Sequence, residues 1–326
     1  MRDSDAYAWC FAELERRLGG GLDAPDEGTR VLCGDGVATT VRVAGVPGPR
    51  REGEARLEVS VRSVMAEARW PGAGPEMLTV ANVTALMGML VPHGEAGVAC
   101  EARLGIPVGR PDAAERLVRL AEVVRWQGLS TVALLDCYLA DYPPTDWARW
   151  EAAADRWRER LGGAERWERL PHQSDFAAAV DGLLAPGIEA IKREEGLAQV
   201  HVSLEREPAS VGSRPDRISA IVSVGTTPHP VIGVGYRPHL TWLTPRETTL
   251  EEQDRMALLL AAAEARQAGW EVPRLGAWVS RPVGGLTYES FRPTAVARAE
   301  VVAEELGWMV ERARWAYRTL RAAGAV

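Results

Sequence analysis

The run LTVANVTALMGMLVPHGEAGVACEARLGIPVGRPDAAERLVRLAEVVRW, residues 78–126, carries the pattern from which the rest of the chain is read. Within it Leu86 to Val91 is apolar, His93-Gly94-Glu95-Ala96-Gly97 is turn-like, and Val98, Cys100, Ala102 and Leu104 alternate with small and charged residues. A period of two puts one side of a strand in a core and the other in water, so the pattern predicts a hairpin. Pro111-Asp112-Ala113-Ala114-Glu115 then opens a helix. Asp112 stands where its carboxylate accepts from the backbone N–H three residues on, and Glu115 where it reaches back. Leu117, Leu120 and Val124 continue on one face. The end of a short helix, two strands and a capped helix thus follow one another, and the same order returns over residues 249–317.

Working outward, Tyr7, Cys10, Phe11, Leu14 and Leu18 predict an amphipathic helix over 5–18, closed by Gly19-Gly20-Gly21. That glycine run has no strand before it and no Lys-Ser/Thr after it, so it is a helix stop and not a phosphate loop. Strands are expected over 30–33, 37–43 and 56–62, the first two joined at Asp35-Gly36, a pair that favours the tight hairpin turn. Pro71 to Pro75 breaks the chain before a short helix over 76–85. Past Trp126 the apolar face runs on to Asp141, with Gly128 as an interruption, and Pro143-Pro144 ends it. A connecting helix over 145–161 carries Trp147, Trp150 and Trp157 in a stripe that docks on its own domains.

From Ser174 the layout repeats. Phe176, Val180, Leu183 and Leu184 predict a helix bent at Pro186-Gly187 and resumed through Ile188 and Ile191. Strands follow over 200–204, 218–224 and from Val231 toward Trp242. Thr249-Leu250-Glu251-Glu252 is a capping box with Gly269 as the stop of its helix. A hairpin of 277–281 and 286–291 turns at Gly284-Gly285, and a last helix covers 294–322. The fold class expected is α+β: two tandem α-βββ-α-ββ-α modules with antiparallel sheets and helices packed on one face. Residues 1–142 form the first module, 143–173 a connecting helical segment, and 174–326 the second.

Composition narrows function by exclusion. The 326 residues hold 38 basic and 45 acidic side chains, net −7, with one lysine, Lys192. Such a field opposes polyanions, which disfavours direct nucleic-acid binding. No stretch reaches the 18 or more apolar residues of a membrane span, and none near Met1 has the flanks of a signal peptide, so a cytoplasmic protein is expected. Cys10, Cys33, Cys100 and Cys137 lie far apart without C-x-x-C spacing and read as buried thiols.

No catalytic, cofactor-binding or metal-binding residues emerge. His93, His172, His201, His229 and His239 are dispersed, and none pairs with a Cys or carboxylate at zinc spacing. Nucleophile elbow, His-Glu-x-x-His and Walker motifs are missing. Gly233-Val234-Gly235 falls in a strand-like run, where it allows a bulge or close packing. The informative surface is the last helix. Val302, Leu306, Met309, Ala313, Ala316 and Leu320 form a seam, while Val301, Trp308 and Trp315 form a second column seven residues apart. Val301, Leu306, Trp308, Met309 and Trp315 are therefore the candidate protein interface, the alternative being that this long helix packs against two parts of its own chain. Arg312, Arg314, Arg318 and Arg321 near its end suit the helix dipole.

The layout resembles the YbjN-like proteins and the type III secretion chaperones, most closely over residues 82–126. There an Asn late in the second helix, Asn82, precedes an apolar strand, a glycine turn, an alternating strand and an acidic-capped helix. The second Asn usual in YbjN-like sequences is replaced near Ala85, and the second module is similar in layout alone. The resemblance implies a non-enzymatic chaperone-like or adaptor protein that binds a protein client through apolar helix faces and sheet edges, a stress-response setting included. It also implies a dimer, formed between chains or imitated by the two modules. The alternatives are a nucleic-acid-associated accessory protein and an enzyme whose groups are scattered in sequence and meet in space.

Overall fold

The computed structural model describes residues 3–34, 37–46, 55–65, 87–93, 97–140, 152, 155, 173–194, 196–204, 218–229, 233–243, 248–267, 272–281, 285–293 and 299–326. The expected helix over 76–85 with Asn82, the Asp35-Gly36 turn, the three tryptophans of the connecting segment, His172, Gly269 and the side chain of Val301 lie outside these residues. Two compact units divide the chain: Met1–Trp157 with Gln267–Gly276, and Arg158–Arg266 with Ala277–Val326.

The first unit runs α1 (Asp3–Leu18), β1 (Asp23–Asp26), β2 (Thr29–Gly34), β3 (Val37–Gly45), β4 (Ala55–Met65), β5 (Met89–His93), β6 (Gly97–Val108) and α2 (Ala113–Ala140). Its antiparallel sheet has the order β1-β2-β3-β4-β6-β5. Period-two alternation turns Val37, Val41 and Val43, then Leu57, Val59 and Val61, then Ala102, Leu104 and Ile106 to one face, where all are buried. Cys10, Phe11 and Leu14 of α1 and Leu117, Leu120 and Val124 of α2 are buried with them, and both helices pack against this sheet. Arg42, Arg56, Glu58, Arg62, Glu101 and Arg103 alternate with these and lie on the opposite face.

The second unit runs α3 (Gln173–Asp181), β7 (Ile188–Glu194), β8 (Leu197–Ser203), β9 (Ser219–His229), β10 (Gly233–Leu243), α4 (Leu250–Arg266), β11 (Ala277–Arg281), β12 (Gly285–Glu289), β13 (Arg292–Pro293) and α5 (Ala299–Ala322). The order is β7-β8-β9-β10-β12-β11, with β13 added on β10. Apart from β13, the path is that of the first sheet strand for strand. The fold is α+β with two antiparallel sheets, and the equivalence extends to detail, since the outermost pair of each sheet, β1–β2 and β7–β8, carries a register shift.

Four strands, not three, precede the central helix position in each module. β1, Asp23-Ala24-Pro25-Asp26, is exposed along its length and so has no apolar alternation to announce it. β7 replaces the resumed helix expected through Ile188 and Ile191. Gly187, at φ +84°, reverses the chain, Ile188 N–H donates to the Ala185 carbonyl at 2.8 Å, and an extended segment pairs with β8. In the other direction α2 continues through Gly128. A Cβ there would come within 2.9 Å of Thr39 Oγ1, so the glycine serves close approach of helix to sheet. Of the cysteines, Cys10 and Cys100 are buried thiols outside any disulfide, but Cys33 is exposed, on a strand toward the edge of its sheet.

Candidate functional site

The last helix is placed first because the sequence points to it. Leu306 is fully buried, Met309 is 1% exposed, and Trp308 and Trp315 are 8% exposed each. Their apolar area is already covered within the chain, as is that of Val302, Ala313, Ala316 and Leu320. Arg312 is buried too: its Nε meets Glu264 at 2.9 Å and its guanidinium lies 3.9 Å over the Tyr288 ring. A second buried pair, Arg292 with Glu305 at 2.9 Å, fastens β13 to α5. These pairs hold α4 and α5 on the sheet, where removal of one partner would leave the other charge uncompensated. Arg314 pairs with Glu311 at 2.7 Å and Arg321 donates to the Tyr317 hydroxyl at 3.0 Å.

Two charged clusters, one in each sheet, were not legible in the sequence. In the first unit Glu101 stands opposite Arg62 across β4–β6 and opposite Met89 across β5–β6. Its carboxylate lies 3.4 Å from Arg62 Nε and 3.1 Å from Arg274 Nη2. Arg62 Nη2 is 3.0 Å from His93 Nδ1. In the second unit Glu289 stands opposite His239 across β10–β12 and opposite Ala277 across β11–β12. It meets Arg281 Nη2 at 2.6 Å, Arg237 Nη1 at 3.9 Å and His239 Nε2 at 3.8 Å, and accepts from Thr287 Oγ1 at 3.1 Å. Burial pushes His239 below the ordinary histidine range, with Glu289 pulling it up and Arg281 and Arg237 down.

The clusters occupy the same place in the repeated topology. Residues 89–93 pair with 97–101 as residues 277–281 pair with 285–289, each hairpin closing on a glycine four residues before its glutamate. By that register Arg62 corresponds to His239 and His93 to Arg281. The signal in the sequence was the shared Gly-x-x-x-Glu of the two hairpins, Gly97 to Glu101 and Gly285 to Glu289. It gains meaning only once cross-strand partners are known.

The remaining candidates resolve simply. Gly235 lies in β10, where a Cβ would sit 2.2 Å from the Phe291 ring and 2.4 Å from the Arg292 carbonyl, so this glycine permits close packing. His201 is in β8 and His229 ends β9. Among the described residues no three His, Cys, Asp or Glu side chains gather as a metal would require, and no helix is long and apolar enough to cross a membrane. Among the described residues, the outermost strands of the second sheet are β7 and β11. Glu189, Ala190, Ile191 and Lys192 of β7 are all exposed, Ile191 at 43%, and Leu184 just before the strand at 44%.

No family model, curated protein or solved structure matches the chain.

Proposed function

We propose that the chain is a non-enzymatic adaptor or chaperone-like protein that binds another protein along the free edge of its second sheet, as the YbjN-like resemblance implies. The observation that carries the reading is β7. Native edge strands are kept short, charged or covered because their unpaired N–H and C=O groups template foreign strands. β7 has seven residues, ends its sheet, and offers Ile191 beside Leu184 to solvent. A client segment added there gains affinity from main-chain bonds and selectivity from alternate side chains. The register shift between Ala190 and Lys192, with the charges of Glu189 and Lys192, guards the edge against indiscriminate pairing. Trp308 and Trp315 of α5 are buried within the chain, so the reading takes the edge strand as the client surface instead.

The test is site-specific photo-cross-linking in native cells, with the cross-linker at Ile191 and, as a control, at Leu258 on the exposed side of α4. One protein adduct at position 191, missing at 258 and resistant to nuclease, supports the adaptor. Adducts only to nucleic acid would replace it with the accessory reading, and equal labelling at both positions would sink the edge as the client site.

A further inference from the structure

The register shift in β7 decides which of its residues share a face. In a regular strand, residues three apart lie on opposite faces. Before the shift Ile188 pairs with Val202 and Ala190 with Val200, both valines fully buried, while Glu189 pairs with half-buried His201. Past it Lys192 pairs with Gln199, which is half-buried as His201 is. Residues directly opposite share a face, so Glu189 and Lys192 stand together on the outer face, and Ile188 and Ala190 on the inner one. Ile191 is the extra residue that brings this about. Glu189, Ala190, Ile191 and Lys192 are all exposed.

Those faces and charges select the strand that fits. An antiparallel copy of β7 laid along the edge with Ala190 opposite Ile191 brings Glu189 opposite Lys192 of the second copy, and Lys192 opposite its Glu189, all on one face. Two matched ion pairs then flank the two-fold axis, and the small Ala190 meets the larger Ile191 twice. Sliding the copy by one residue either way sets Ile188 or Ala190 opposite Lys192, an inward residue against an outward one. Among the described residues the other outermost strands do not offer this. β1 holds two aspartates and Pro25, β5 holds Pro92, and proline has no N–H for a new ladder. Ala277, Trp278 and Val279 of β11 are buried. One self-complementary edge per chain closes a pair and does not propagate a filament.

We propose that a second copy of this chain docks on β7, antiparallel about a two-fold axis between Ala190 and Ile191, and joins the two seven-stranded sheets into one. The inference rests on the reading of β7 as the open edge and names what occupies it before a client does. The second copy shields the outward N–H and C=O groups, and a client strand must displace it. A contact one strand deep lies at the small end of specific interfaces, so the dimer is reversible and leaves that exchange open.

The purified full chain is followed by sedimentation velocity from micromolar to millimolar concentration, where a reversible monomer–dimer equilibrium is expected. Glu189→Lys and Lys192→Glu each turn two matched pairs into two like-charge pairs and should raise the dissociation constant by about tenfold or more. An equimolar mixture of the two variants restores both matches and should dimerise again, as should the double variant Glu189→Lys/Lys192→Glu. A variant that had merely lost its fold gives neither rescue, and circular dichroism of each one checks this. A chain monomeric at every concentration, a dimer indifferent to both reversals, or loss without rescue in folded variants overturns the proposal. The client reading fails separately. A dimer in the tube with only self-adducts at Ile191 in cells sinks the adaptor and keeps the dimer; a monomeric chain with a foreign adduct at Ile191 does the reverse.

Discussion

At the scale of single residues, the unexpected features are polar. Alternation in β4, β6, β10 and β12 states which residues point outward, but not which of them meet. Arg62 and Glu101 are far apart in sequence, as are His239 and Glu289, and only the strand order makes them neighbours. His239 illustrates the consequence for pH. Burial depresses its folded-state pKa below the ordinary histidine value of 6.5, so as pH falls the unfolded chain takes up the proton first. Its contribution to stability is therefore complete above the unfolded value and is lost as pH drops from there through the lower folded value. The urea midpoint should fall between about pH 7.5 and about pH 5.5, and the fall should be smaller in His239→Gln. Equal falls in the two proteins would show that another group governs the acid limb.

At the scale of elements, legibility follows the strength of local signals. The capping box of α4 was readable to the atom: Thr249 N–H donates to Glu252 Oε2 at 2.9 Å, and Glu252 N–H donates to Thr249 Oγ1 at 3.2 Å. Thr249→Ala leaves a helix-end donor without its side-chain acceptor and should cost about 1 kcal/mol in denaturant unfolding. A loss under about 0.3 kcal/mol would mean that water replaces the hydroxyl at no cost. The α1 helix and the strands at β3, β4, β6 and β8 were equally plain, because each has a buried stripe at its own period. β1 and β7 were not. An exposed edge strand has no stripe, and Ile188 and Ile191, three apart, mimic a helical one. Gly187 held the deciding information, since a glycine at positive φ reverses the chain where a bent helix would continue it. The apolar face expected on α5 is wide, and Val302, Leu306, Met309, Trp308 and Trp315 on it are all buried. Sequence does not say whether the second column of tryptophans is covered; within the chain Trp308 and Trp315 are buried.

At the scale of the molecule, the repeated topology was visible in element order and the division after Trp157 falls inside the expected connecting segment, but that both units are discontinuous was not legible. Gln267–Gly276 lies between α4 and β11 in sequence and belongs to the first unit. Arg274 N–H donates to the Arg103 carbonyl at 2.8 Å, Arg103 N–H donates back at 3.1 Å, and the Arg274 guanidinium reaches Glu101 at 3.1 Å. Beyond Arg103 the edge of β6 is closed: Arg116 Nη1 donates to the Gly105 carbonyl at 3.2 Å, while Pro107 has no N–H and its carbonyl accepts from Arg110 N–H at 3.1 Å. Arg274 is 3% exposed, so its pairing with Glu101 is shielded from solvent and worth more than a surface ion pair. A fragment of residues 1–157 therefore lacks a buried part of its own unit, and leaves Glu101 without one of its two cations. Joined through a flexible Gly/Ser linker to residues 267–276, the fragment should melt several degrees higher than alone, as about 1–2 kcal/mol in a domain of this size would give. Glu101→Gln should remove most of that gain by deleting the ion pair while keeping the side chain's shape. Identical melting of the fragment with and without the added segment would show that the segment is a passenger, and that the first unit is complete without it.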